Sequence, residues 1–350
     1  MKKLSIFLIL FLLLAACGQP AIDDFEDESS TIENGNSEET VLDIYTTAYP
    51  LVYFTERIGG ERVNVESIYP PGANEHNFEP TQQDMIALAE ADLLFYTGLG
   101  LEGFIDSAKN TLSRENVELV ATADAISDEE LEAAESHGEE SHDIETREEE
   151  SHDDHAEEES HDSDAHEEES HDEHDHGSVD PHVWISPVLS QKLAESIKNS
   201  LVKADAEGVE LYEANFEELV SELKQLDQSF TALSDQVENK VFFVSHAAFG
   251  YIADIYGFKQ VAVAGLNSQD EPSQKELTEI VDLAKEKEID YIVFEQNVSS
   301  NLTEVIQNEV GAEAIEMHNL SVWTQEDIDN GETYFTLMEK NREVLEIILK

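Results

Sequence analysis

Histidine is the residue type in this chain whose number and placement point to chemistry. Its neutral imidazole is a metal ligand and its charge changes near neutral pH. Nine of the 13 histidines fall between positions 137 and 176. They are His137, His142, His152, His155, His161, His166, His171, His174 and His176, and they alternate with carboxylates in a run where EEESHD occurs three times. Such a segment cannot bury surface, yet it can chelate a divalent cation in many shifting, individually weak arrangements. A merely solvated acidic loop is the plainer reading, and the enrichment in histidine argues against it. With an unperturbed pKa near 6.5, capture by these rings is expected to weaken below about pH 6.

Four histidines lie outside the run: His76, His182, His246 and His318. His76 stands in YPPGANEHNFEP, His182 in VDPHVWISP and His246 at the end of VFFVSH. A lone histidine at a strand end is more often structural or solvated than a ligand. Three of them in loops beside apolar strand-like runs call for a common explanation.

The elements that must hold these loops are legible as a pattern. Short β-rich runs at 42–47, 63–69, 91–97 and 117–120 alternate with helical periodicity, and a second set follows at 241–245, 260–265, 291–295 and 314–319. Such alternation predicts α/β lobes with mostly parallel sheets. Loops at the carboxyl ends of parallel strands gather at one edge, where open α/β folds bind ligands. Between the two sets, Tyr212, Phe216, Leu219, Leu223, Leu226, Phe230, Leu233 and Val237 recur at spacings of three and four, which predicts one long amphipathic helix. Ser273 followed by Glu276 marks a capped helix start in the second set.

The expected organisation is a signal peptide at 1–16, an acidic tether at 17–40, an N-terminal lobe at 41–190, a linking helical region at 191–238 and a C-terminal lobe at 239–350. Residues 128–178 are expected to be a disordered insertion in the first lobe. Lys2 and Lys3 precede an apolar run too short to span a bilayer, which reads as an export signal. The run ends in Leu14-Ala15-Ala16-Cys17, similar to the lipobox of bacterial lipoproteins, so Cys17 is the expected lipidation site and the chain is expected outside the cytoplasm on a lipid anchor. Cys17 is the only cysteine, so no intrachain disulfide can form. The balance of 19 basic against 80 acidic residues gives a formal net charge of −61, which disfavours nucleic acid and anionic surfaces and favours cations.

PPGANEHNFEP, DPHVWISP and SHAAFGYIADIYG, in that order, resemble the motifs of the zinc-type (cluster A-I) metal-binding lipoproteins that feed bacterial ABC importers. The similarity runs from about Val41 to Lys350. It implies two Rossmann-like lobes joined by one long rigid helix, with Zn²⁺ held in the cleft between them by His76, His182 and His246, a membrane ABC permease as partner, and no enzymatic activity. The receptor is expected to be a monomer. Three neutral imidazoles and one further ligand make a four-coordinate zinc site, whereas manganese favours carboxylate oxygens.

The fourth ligand departs from the pattern. Gram-positive relatives read approximately His-Asn-Leu-Glu where this chain has His318-Asn319-Leu320-Ser321, and a serine is a poor zinc ligand. Glu75, Glu295 or water remain for that position, with Glu75 or water favoured; His318 is expected to pack or hydrogen-bond outside the site. The histidine run, tethered just before His182, is expected to act as an accessory collector at high effective concentration. Alternatives to a zinc import receptor are a manganese receptor of the same family, a zinc-buffering or adhesive surface lipoprotein, and a zinc hydrolase. The hydrolase needs an open coordination position and a general base, and no HExxH motif is present.

Overall fold

The computed structural model describes residues 41–135, 179–270, 272–296 and 301–350. The expected signal peptide, Cys17, the tether and the nine histidines from His137 to His176 lie outside the described residues. No helix among the described residues is long and apolar enough to cross a membrane.

Strands β1 (Leu42–Thr46), β2 (Val63–Ser67), β3 (Leu93–Tyr96) and β4 (Glu118–Ala121) form one sheet in the order β2-β1-β3-β4. Strands β5 (Val241–His246), β6 (Lys259–Ala264), β7 (Tyr291–Glu295) and β8 (Glu313–Met317) form a second in the order β6-β5-β7-β8. Every strand pairing is parallel. Both sheets are two-sided because their central strands are apolar at successive positions, which suits a parallel sheet covered on both faces. In β3, Leu93 and Phe95 enter one core while Leu94 enters another with Leu88, Ala108 and Leu112 of the outer helices α2 (Gln82–Glu90) and α3 (Ile105–Leu112). In β5, Phe242 and Val244 face the first core, whereas Phe243 packs with Ala284 of α8 (Gln274–Glu286) and Ile306 of α9 (Asn301–Val310).

The inner faces of the two sheets contribute to one continuous core. Its spine is α6 (Val209–Gln236), with Tyr212, Leu219, Leu223, Leu226, Phe230 and Leu233 buried along one stripe as the spacing predicts. This helix packs on α1 (Tyr49–Gly59), α5 (Pro187–Ala204), α7 (Gly250–Tyr256) and α11 (Tyr334–Ile348). The lobes are thus cross-braced through shared apolar packing. The capping box expected at the start of α8 is present, with Ser273 and Glu276 bonding each other's backbone N–H.

The first residues of the expected disordered insertion are ordered. Residues Asp128–Glu135 form a helix, α4. Its start is capped by Ser127, whose hydroxyl accepts from Glu130 N–H while the Glu130 carboxylate accepts from Ser127 N–H at 3.0 Å. Leu131 and Ala134 are buried, and α4 packs on α7. The acid content of DEELEAAE masks an apolar pair on one helical face.

Shared packing along α6 has a measurable consequence. Phe230 is fully buried and stacks on Tyr256 at 5.3 Å between ring centroids. Phe230→Ala is expected to cost about 3–5 kcal/mol. Urea unfolding of the metal-free protein should show one transition shifted as a unit; loss of one lobe's signal ahead of the other would contradict a common core.

Candidate metal centre

His246 is the last residue of β5, and Glu295 is the last of β7. These strands are neighbours at the point where the second sheet's order reverses, the crevice in which open parallel sheets bind ligands. His76 lies in the connection from β2 to α2. There Gly72 adopts φ +75 after the two prolines, and Asn74 Oδ1 accepts the His76 N–H at 3.0 Å, closing a tight side-chain turn. His182 directly precedes a 3-10 turn, Val183–Ile185, whose three side chains are fully buried and so fix the loop.

The three imidazoles come from different parts of the chain and converge. Their centroids are 5.0–5.7 Å apart, and one ring nitrogen of each lies within 4.8 Å of the others. Among the described residues no other group of three or more histidine, cysteine or carboxylate side chains meets so closely. His182 and His246 are fully buried, and the His76 side chain is 6% exposed.

Carboxylates behind two of the rings decide which nitrogen faces inward. His182 Nδ1–H donates to Asp180 Oδ1 at 2.7 Å, and His246 Nδ1–H donates to Glu295 Oε2 at 2.7 Å. Both Nε2 atoms then carry lone pairs, and they stand 3.3 Å apart. That holds for neutral rings, whose facing lone pairs repel unless a proton or a cation lies between them. Two nitrogens each at about 2.0–2.1 Å from a tetrahedral ion are separated by about 3.3–3.4 Å. The third ring adds an orphan, since His76 Nε2 is buried without a hydrogen-bond partner. This donor set fits a borderline, nitrogen-preferring divalent cation.

Electrostatics act in the same direction. Burial, reinforced by the two neighbouring imidazoles, pushes His76 down to about 3, so the ring is neutral and its lone pair free at ordinary pH. Burial opposes charge on His246, but the Glu295 carboxylate outweighs it and holds this ring above its usual value. Burial would likewise raise Glu295, and the His246 imidazolium beside it lowers it instead.

The candidates for a fourth ligand separate by geometry. Glu295 is an orienting group whose four acceptor positions are taken: Oε1 by Ser245 Oγ at 2.7 Å and His246 N at 3.1 Å, Oε2 by the His246 ring and by Asn319 Nδ2 at 3.0 Å. Glu75 is 6% exposed, and its Oε1 is buried, unpartnered and 3.8 Å from His76 Nε2. It does not belong to the trio that converges within 4.8 Å. Ser321 Oγ donates to Asn319 Oδ1 at 2.8 Å. His318 is engaged elsewhere, its Nε2 3.0 Å from Asp327 Oδ2 and its Nδ1 accepting the Leu320 N–H. Asp180 is the functional residue that the sequence pattern passes over, although its place two residues before His182 was the available signal.

A glycine protects that carboxylate. A Cβ on Gly250 would lie 2.8 Å from Asp180 Oδ2, so α7 approaches the His182 loop only because position 250 lacks a side chain.

Comparison with known proteins accords with this geometry. Residues 44–347 match the family described as zinc-uptake complex component A, periplasmic (ZnuA). The chain is 33% identical over 335 residues to the high-affinity zinc uptake system protein ZnuA of Bacillus subtilis (strain 168), covering 96% of this chain and 93% of that protein. It is 31% identical over 351 residues to the zinc-binding lipoprotein AdcA of Streptococcus pneumoniae (strain ATCC BAA-255 / R6), and spans 60% of that longer protein's length. The Zn(II)-bound ZnuA-like domain of Streptococcus pneumoniae AdcA superposes with a TM-score of 0.66 at 29% identity, over 88% of this chain and 99% of that one. With a family match over most of its length and a relative covered nearly end to end, the chain belongs to the ZnuA family of zinc-uptake components.

Proposed function

We propose that the protein is an extracytoplasmic receptor that captures Zn²⁺ between its lobes on His76, His182 and His246 and delivers it, as a monomer on a Cys17 lipid anchor, to a membrane ABC permease. It carries out no reaction of its own. The observation that carries this reading is the pair of Nε2 atoms 3.3 Å apart beside the orphaned Nε2 of His76. Three imidazole nitrogens suit zinc, whereas manganese prefers a more oxygen-rich set. Asp180 and Glu295, the carboxylates nearest two of the rings, are already committed as hydrogen-bond acceptors. Glu75 Oε1 supports Glu75, after a small rotation, or a water beside it, as the fourth ligand. The histidine run serves as a collector that raises the local zinc concentration near the cleft.

The decisive experiment is zinc titration against a tight chelator, on the full chain, on a chain lacking residues 136–178 and on His76→Ala in that shortened background. The deletion starts after α4 because that helix belongs to the folded body. One tight zinc should survive the deletion and be lost on His76→Ala. Tight binding that disappears with the histidine run would sink the reading.

Two further outcomes follow from the carboxylate–imidazole pairs. Glu295→Gln keeps the shape but removes the charge that orients His246, and should weaken zinc binding by about 10–100-fold, read in the same titration. Zinc binds only the unprotonated His246 ring, whose proton affinity is raised in the metal-free protein. Affinity should therefore be full above that raised value and decline as pH falls through it, with protons released on binding. His76, at about 3, takes no part in this window. A calorimetric comparison in buffers of different ionisation enthalpy would count the protons, and a count near zero at pH 6 would contradict the assignment.

A further inference from the structure

One short segment touches all three histidine-bearing elements. It is the connection between β8 and α10 (Gln325–Asn330), which belongs to the second lobe. Trp323 O accepts the N–H of Gly72, in the loop that carries His76, at 2.9 Å. Asn319 O accepts the indole N–H of Trp184, two residues beyond His182, at 2.8 Å. Asn319 Nδ2 donates to Glu295 Oε2 at 3.0 Å, on the carboxylate that orients His246. Ser321 O accepts the Tyr49 N–H at the start of α1 at 2.9 Å, and the Trp323 ring stacks on Tyr49 at 4.1 Å. The same five residues therefore bond to the first lobe three times, through Gly72, Trp184 and Tyr49.

The segment is held in shape from behind. Asn341 grips His318 on both backbone groups, at 2.8 and 2.7 Å. Leu320, fully buried, takes φ +61, a conformation that a leucine keeps only when its surroundings impose it. The Asn319 amide cannot be turned over. Its Oδ1 accepts from Gln296 Nε2, Ser321 N and Ser321 Oγ, so its Nδ2 must face the carboxylate.

We propose that residues 319–323 are a strap that couples metal occupancy to contact between the lobes, with Asn319 as the positioning residue that holds Glu295 against His246. Ser321, at the position expected to carry a ligand, serves this strap through its hydroxyl and its carbonyl. Metal that draws the three rings together loads the strap at Gly72, Trp184 and Glu295 simultaneously. Releasing the strap loosens all three loops. The inference rests on the zinc-site reading above, and the test separates the two.

The chain's only two tryptophans, Trp184 and Trp323, are both bonded into this arrangement, and Zn²⁺ is a d¹⁰ ion without redox chemistry, so emission reports the strap and not the metal. Zinc would be added to the full chain in competition with a chelator strong enough to strip the weak sites of the histidine run, with affinity and tryptophan emission read together. Four variants are compared with the wild type: Asn319→Asp, which keeps the shape but sets a like charge against Glu295; Trp184→Phe, which deletes the indole donor; His76→Ala; and Leu201→Ala, a buried core change at the end of α5 remote from Trp184.

The wild type should change emission on binding zinc. Asn319→Asp should bind about tenfold more weakly or worse, with the emission response reduced. Trp184→Phe should weaken binding in the same direction even if Asn319→Asp does not fold. Leu201→Ala should lower the melting temperature but leave zinc affinity in place, which separates positioning from general destabilisation. Wild-type affinity in both Asn319→Asp and Trp184→Phe, or no emission change in the wild type, would overturn the strap while leaving the zinc site intact. Tight binding retained by His76→Ala would overturn the site reading itself.

Discussion

A carboxylate buried as completely as Glu295 stays ionised only if hydrogen-bond donors surround it, and the protein provides four from two segments. Those four bonds join the end of β5 to the end of β7 and both to the connection after β8. The His246 ring is one of the four donors, so satisfying the carboxylate and aiming Nε2 into the cleft are a single event. The opposite arrangement, a histidine without its carboxylate, would leave either nitrogen free to face the cleft and the ring free to turn. Asp180 repeats the device for His182 with an oxygen that also takes the backbone N–H of the same residue.

The rest of the fold serves to keep these pairs in place against repulsion. Two Nε2 atoms 3.3 Å apart, with only a proton or a cation to hold them together, and a third nitrogen without a hydrogen-bond partner are an unfavourable cluster when no cation is bound, and the surrounding apolar packing maintains it. Trp184 and Ile185 are fully buried beside His182, and α6 braces both lobes through one core. Local strain at the site is thus balanced by remote hydrophobic burial, and affinity for a cation is the counterpart of that strain. The strongly acidic surface adds a long-range attraction for cations that is distinct from the neutral, nitrogen-lined centre.

The positions at which sequence pattern and structure part have a common cause. Composition assigns Asp128–Glu135 to the acidic insertion, because two buried apolar side chains among six acids and alanines do not stand out without their partner surface on α7. Glu295 reads as one candidate for the fourth ligand until its four donors are known. Ser321 reads as a missing ligand, and its hydroxyl proves to support the amide that orients Glu295. In each case the side chain's type is compatible with several roles, and its neighbours, distant in sequence, choose among them.

The sequence alone determined the periodicity of eight strands and the long helix, since alternation and the three-to-four spacing are local properties of the chain. It also marked His76, His182 and His246 by their motifs, and the accessory run by its composition. Tertiary structure decided what needs contacts between distant parts of the chain: that the three rings converge, that Glu295 orients His246 and that residues 319–323 tie the histidine loops together. Hydrogen-bond direction and distance depend on where the folded chain brings its parts, and no local pattern carries that information.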